Sequence, residues 1–220
     1  MKAALAKEFR LVVHPSTYVL ALLGALVLIP TWMYGAIFIY GVLVAFFNGM
    51  NAREMRDMSY SFSLPMSRRE MVRARIAAMM VIEAVMVAIM LVFVLLREPL
   101  GINAIAQGQD LVGMPANLFL VGFGMVIFGV FNAAFYPLYY RNPMKVGVPF
   151  MVACLPAAVV LVTLEALPYL PFPWCVMFAT VGMEGIGVQL IGLAAGAVVF
   201  VLGSLLAMHL ATRTFTSYDA

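Results

Sequence analysis

The chain has 220 residues, 65% of them hydrophobic and only 10% charged, with a mean hydropathy of +1.05. Soluble domains run at about 45–50% apolar and 25% charged, so a water-soluble globular module is excluded; the length suits about six helices of ~20 residues with short connections. The net charge of +3 has no basic stripe interleaved with aromatics and so no nucleic-acid signature, and long apolar runs without period-two alternation favour an all-α bundle over a porin-type barrel.

Residues 2–14 read as an amphipathic helix lying on the membrane surface, with Leu5, Phe9, Val12 and Val13 on one side, Lys7, Arg10 and His14 on the other, and Pro15 ending it. Lys7, Glu8 and Arg10 interrupt any early apolar run, which argues against a cleavable signal peptide. The apolar stretch 18–47 is too long for one span and short for two; Pro30 and Gly35 near its middle predict a tight hairpin. Further spans are expected at 76–96, 116–136, 148–167 and 187–208. With six spans and both termini cytoplasmic, Arg97 is the one basic residue of the 13 Lys and Arg left outside, whereas reading 18–47 as a single span leaves most of them outside. The positive-inside rule therefore selects six. Of the outer segments, 97–115 carries Glu98 and Asp110, and 168–186 holds three prolines among Tyr169, Phe172, Trp174 and Phe178, which reads as a re-entrant or interfacial element.

The segment between the second and third spans, 51–75, is the most informative. Asn51 is placed to cap a short helix in which Arg53 and Asp57 pair at i, i+4 while Met55, Met58 and Phe62 fall on one side. After Pro65, Ser67 and Glu70 form an S-x-x-E capping box with Met66 and Met71 as its hydrophobic staple, so a new helix is expected to start at Arg68 and run into the third span. A short amphipathic helix held between two membrane helices is suited to docking a soluble partner, although a solvated loop whose arginines fix topology fits the pattern too.

Chemistry-bearing motifs are sparse. None of the three lysines, Lys2, Lys7 and Lys145, precedes Ser or Thr, so the chain has no P-loop and is not expected to hydrolyse ATP or to bind a cofactor itself. His14 and His209 have no metal-ligand spacing around them, and Cys154 and Cys175 read as small buried hydrophobes. Glu83 stands out inside the third span, where a carboxylate costs about 2.5–3.5 kcal/mol, and reads either as a polar point on a transport route or as one partner of an interhelical hydrogen bond. Gly192 and Gly196 form a GxxxG in the last span; with Gly203, and with Gly122, Gly124 and Gly129 in the fourth, they allow close helix approach within the bundle or to a second subunit.

The start LAKEFRLVV, the charged loop after the second span and above all SLPMSRREMVRAR resemble the type-2 ATP-binding cassette transporter permeases, in their small six-span bacterial branch. The resemblance implies one transmembrane domain over residues 1–220, in a bacterial cytoplasmic membrane, with residues 1–15 forming a surface-lying connecting helix. It implies a coupling helix over 52–61 that seats on a soluble ATPase through Arg53, Glu54, Met55, Arg56, Asp57, Met58, Ser59 and Tyr60, with Ser67, Arg68, Arg69 and Glu70 at its exit. It further implies a second permease copy or homologue as partner, ATP and Mg held by the ATPase, and export of cargo. The apolar, aromatic-rich composition points to amphipathic or hydrophobic cargo, such as membrane-active peptides, peptide antibiotics or lipids. The readings from other classes are a stand-alone secondary transporter or intramembrane enzyme using Glu83, and a structural membrane subunit.

Overall fold

The computed structural model describes residues 2–30, 32–106, 113–182 and 184–216, without the side chains of 2, 3, 58, 59, 106 and 216; Asp110 therefore lies outside it. Among these residues every regular element is helical. Five helices are long and apolar enough to cross a membrane, and a bent pair, Ala4–Val12 with Ser16–Leu28, brings the number to as many as six. The chain has the architecture of a multi-pass, all-helical membrane protein.

The N-terminal segment begins as α1 (Lys2–Lys7) and continues as a π-helical turn over Glu8–Val12, closed by Val13 N–H donating to Glu8 O at 2.9 Å. After Pro15 the direction changes by 93° into α2 (Ser16–Leu22), which tightens into a 3₁₀ stretch over Leu23–Leu28. At 1.5 and 2.0 Å per residue these thirteen residues cover about 22 Å, so the tighter helix lengthens an element that is short for a bilayer core of ~30 Å. The chain reverses through residues 29–34, where the Tyr34 hydroxyl donates to Ile29 O at 2.9 Å, and α3 (Gly35–Glu54) returns. The hairpin expected around Pro30 and Gly35 is present.

A six-residue helix, α4 (Asp57–Phe62), follows, then α5 (Arg68–Leu96), the short α6 (Ile102–Ala106), α7 (Leu118–Tyr139), α8 (Gly147–Ala166) and α9 (Ile186–Thr216). The α5 start carries both halves of the expected capping box: Glu70 N–H donates to Ser67 Oγ at 3.2 Å, and Ser67 N–H to Glu70 Oε2 at 3.2 Å. Between α8 and α9 the chain forms two 3₁₀ pieces, Leu167–Tyr169 and Pro173–Ala179. The second lies against the start of α7, where Phe178 packs on Phe119 at 4.8 Å and Asn117 Nδ2 donates to Phe178 O at 3.1 Å.

Helix α7 is the most enclosed of the long helices; α8 and α9 present most of their apolar surface outward. The tightest crossing is between α7 and α9, which run parallel. A Cβ at Gly122 meets Gly192 O at 2.6 Å, one at Gly129 meets Val199 O at 2.7 Å, and Cβ atoms at Gly196 and Gly203 collide with the carbonyls of Gly122 and Gly129. The expected close approach of glycine rows is thus made within the chain. Residues 29 and 31 in number, α5 and α9 are about 43 and 46 Å long and extend well beyond a 30 Å core. Both extensions lie at the end of the bundle that holds α4, where Phe215 stacks on Phe62 (6.3 Å) and packs against Tyr140 (5.2 Å).

Candidate functional site

Four charges converge at that end: Lys7 from α1, Glu8 from the π turn, Asp57 at the start of α4 and Arg75 two turns into α5. Lys7 Nζ reaches Asp57 Oδ1 at 2.6 Å, Glu8 Oε1 at 3.3 Å and Ser61 Oγ at 2.5 Å; Arg75 Nε donates to Glu8 Oε2 at 3.0 Å and its Nη2 donates to Asp57 Oδ2. All four side chains are under 10% exposed. Two cations and two anions sum to zero, and that balance permits burial at all, since an unmatched charge here would cost several kcal/mol. Burial pushes the Asp57 carboxyl pKa up, but Arg75 and Lys7 outweigh it and hold the group below the ordinary carboxylate range.

This network redraws the expected coupling segment. Asn51 does not cap a helix: α3 runs on to Glu54, and the Asn51 amide donates to Val12 O at 2.7 Å. Arg53 does not pair with Asp57, because Arg56 adopts a left-handed conformation (φ 48°) that breaks the helix between them and turns Asp57 inward. Arg53 and Glu54 therefore end α3, Met55 and Arg56 form the kink, and α4 occupies only part of 52–61. Met55 (58% exposed) and Tyr60 (49%) face outward; the side chains of Met58 and Ser59 lie outside the described residues. At the exit, Arg68 lies over the Phe62 ring at 5.4 Å, Ser67 and Glu70 cap α5, and Arg69 projects toward α9. Lys7 is the other correction: it points into the bundle instead of sharing a solvated side with Arg10 and His14.

Halfway along the bundle, Glu83 is buried and accepts from Asn132 Nδ2 at 2.7 Å; the same amide donates to Ser204 Oγ at 3.3 Å. One polar triad thus joins α5, α7 and α9. In the triad, in the ion network and on Tyr136 and Tyr140, four buried polar atoms lack a hydrogen-bond partner among the described residues: Asn132 Oδ1, Arg75 Nη1 and the two tyrosine hydroxyls. Gly192 faces the Phe119 ring and Gly196 the Gly122 backbone, so both act in packing α9 on α7.

At the opposite end, Arg97 is also buried instead of solvated. It donates to Asn103 Oδ1 at 2.9 Å, to the Tyr34 hydroxyl at 3.0 Å and to Val27 O, capping a carbonyl near the end of the 3₁₀ stretch. The sequence reading missed Lys7, Glu8 and Arg75 as one unit, together with Asn132 and Ser204. The available signal was the acids Glu8 and Asp57 standing among the bases at the apolar margins of helices, and Asn132 and Ser204 within otherwise apolar stretches.

Among the described residues no group of three or more His, Cys, Asp or Glu could hold a metal ion. Comparison with family models, curated proteins and solved structures gives no match.

Proposed function

We propose that the chain is the membrane-spanning permease subunit of an ATP-driven exporter, with six spans, both termini in the cytoplasm of a bacterial cell, and ATP and Mg bound by a separate soluble ATPase. In this reading α4 is the docking element. The observation that carries it is the double attachment of α4: Asp57 ties its start to α1 and α5, and Phe62 ties its end to α9 through Phe215. A short helix held this way relays a displacement to two spanning helices and to the N-terminal segment at once, whereas a loose loop absorbs it. Met55 and Tyr60 face away from these anchors and offer a partner an apolar surface.

A second permease copy completes the transporter in this reading, and the outward apolar faces of α8 and α9 provide area for it. A groove of about 220 Å³ between α3, α7 and α8, lined by apolar side chains including Phe38, Ile127 and Leu161, suits hydrophobic or amphipathic cargo. Glu83 is accounted for by its bond to Asn132, and no observation favours a proton-coupled carrier over the exporter.

The test is co-expression with the ATPase that co-purifies from native membranes. Met55→Asp with Tyr60→Asp should leave insertion intact, abolish co-purification and uncouple ATP hydrolysis from transport. An undiminished, transport-active complex from this double variant would overturn the docking role, and transport by the purified subunit alone would overturn the exporter.

A further inference from the structure

We propose that the half of α8 remote from the ion network is a hinged wall of the apolar groove, turning at Pro156 and latched by the Glu165 carboxylate. The role of this device rests on the groove between α3, α7 and α8 being the cargo path. Helix α8 gives the groove Cys154, Ala157, Ala158 and Leu161, and Glu165 follows Leu161 by one turn on the same face. Glu165 Oε2 accepts from Met114 N–H at 3.0 Å, in the segment that leads into α7. Its Oε1 lies against Gly35, the first residue of α3. One carboxylate thus joins the three helices of the groove at a single end. Two glycines make room for it: a Cβ at Gly35 would stand 2.1 Å from Oε1, and one at Gly113 only 1.6 Å from Oε2. The Tyr169 hydroxyl accepts from Gly113 N–H at 3.0 Å, but beyond the end of α8 and at an exposed site, where water competes for the bond.

The hinge follows from the sequence of α8. Pro156 lies inside the helix, has no N–H to offer the carbonyl of Val152, and so removes one rung of the hydrogen-bond ladder beside the groove. Helices bend at such a residue, commonly by more than 20°. Beyond it, Ala157 and Leu164 are the buried residues of α8, so little side-chain packing opposes movement of residues 158–166. A turn of about 20° at Pro156 moves Val162, six residues on, by about 3 Å. Release of Glu165 therefore widens the groove at the end away from the ATPase, which is the side where exported cargo leaves.

The experiment reads distances in the purified full chain in lipid nanodiscs, with neither cargo nor ATPase, so its outcome is independent of the exporter reading. In a background of Cys154→Ala and Cys175→Ala, spin labels on Val92→Cys of α5 and Val162→Cys of α8 report the wall beyond the hinge, and labels on Val92→Cys and Val148→Cys report the part before it; all three sites are exposed. Distances come from double electron–electron resonance. Glu165→Ala should add a population displaced by about 3 Å to the Val92–Val162 pair and leave the Val92–Val148 pair as in the parent. Pro156→Ala in the same chain should suppress that population. If Glu165→Ala fails to fold, Gly35→Ala dislodges the carboxylate from the α3 side and should produce the same displacement. An unchanged Val92–Val162 distance in a folded latch variant would overturn the latch. Equal displacement of both pairs, or displacement that survives Pro156→Ala, would overturn the hinge.

Discussion

Arg75 pairs with the same two buried carboxylates as Lys7, and its replacement by leucine leaves Lys7 alone against both, with one buried negative charge unmatched. Removing one partner of a buried ion pair typically costs about 3–5 kcal/mol, so Arg75→Leu should unfold at markedly lower temperature in detergent than wild type. The pH dependence follows from Asp57. Its folded pKa is depressed, so its contribution is present above the ordinary carboxylate value of about 3.9 and is lost as pH falls through the folded value. Thermal stability should therefore lack an Asp57-linked decline between pH 7 and 5 and show one below about pH 4, and Asp57→Asn should remove that acid-dependent part. Persistence of the same acid limb in Asp57→Asn would show that other groups set it. The Glu83 triad makes a different test. Asn132→Ala removes an interhelical bond worth about 0.6–1.7 kcal/mol and leaves a carboxylate without its donor, so it should be costly with Glu83 present and much milder with Glu83→Leu in the same chain. Additive losses on a thermal-stability double-mutant cycle would sink that coupling. Glu83 itself stands out in the sequence because a lone acid in an apolar span draws attention. Its partner does not, since pairing 83 with 132 depends on how α5 meets α7, which no local pattern records. The same holds for Glu8 with Arg75, 67 residues apart.

Local chemistry fixes some elements and leaves others open. The Ser67–Glu70 box is complete within four residues, and it marks the observed start of a 29-residue helix. The break before α4 is set by Arg56 in a left-handed conformation, which arginine seldom adopts; the inward pull of Lys7 and Arg75 on Asp57 selects it, and neither is nearby in sequence. The glycines are a mixed case. The GxxxG at 192 and 196 is visible in sequence, but the positions at which an added Cβ would strike the facing helix's backbone are Gly122 and Gly129 on α7 and Gly196 and Gly203 on α9, a seven-residue repeat on each helix. The two GxxxG members should therefore respond differently. A Cβ at Gly196 drives into the Gly122 carbonyl, which can move only by separating α7 from α9, and overpacking of this kind costs about 1–3 kcal/mol. At Gly192 the obstacle is the Phe119 ring, a side chain that can turn. Gly187 meets nothing within 4 Å. Thermal melts of the three Gly→Ala variants should rank Gly196 as most destabilised, Gly192 next and Gly187 unchanged; equal melts for Gly196 and Gly187 would refute the crossing.

For the whole molecule, the fold joins distant stretches of chain at two ends. Lys7, Asp57, Tyr140 and Phe215 gather at one end, and Val27, Tyr34 and Arg97 at the other. The α2 and 3₁₀ segment runs from Thr17, bonded to Asn48 at the first end, to Val27, bonded to Arg97 at the second, so it traverses the bundle despite its length. Hydropathy alone reads residues 18–47 ambiguously, and charge bears on the count because each added crossing swaps the side of every later loop. A labelling experiment tests both the count and the orientation. With Cys154→Ala and Cys175→Ala as background, Tyr60→Cys and Met144→Cys place exposed thiols at the arginine-rich end, and Tyr169→Cys places one near the other end. An impermeant maleimide added to intact cells should modify Tyr169→Cys and reach Tyr60→Cys and Met144→Cys only after permeabilisation. Labelling of Tyr60→Cys from outside would invert the topology and place α4 beyond the reach of any cytoplasmic ATPase; labelling of Tyr60→Cys and Met144→Cys from opposite sides would break the shared end on which the docking of α4 depends.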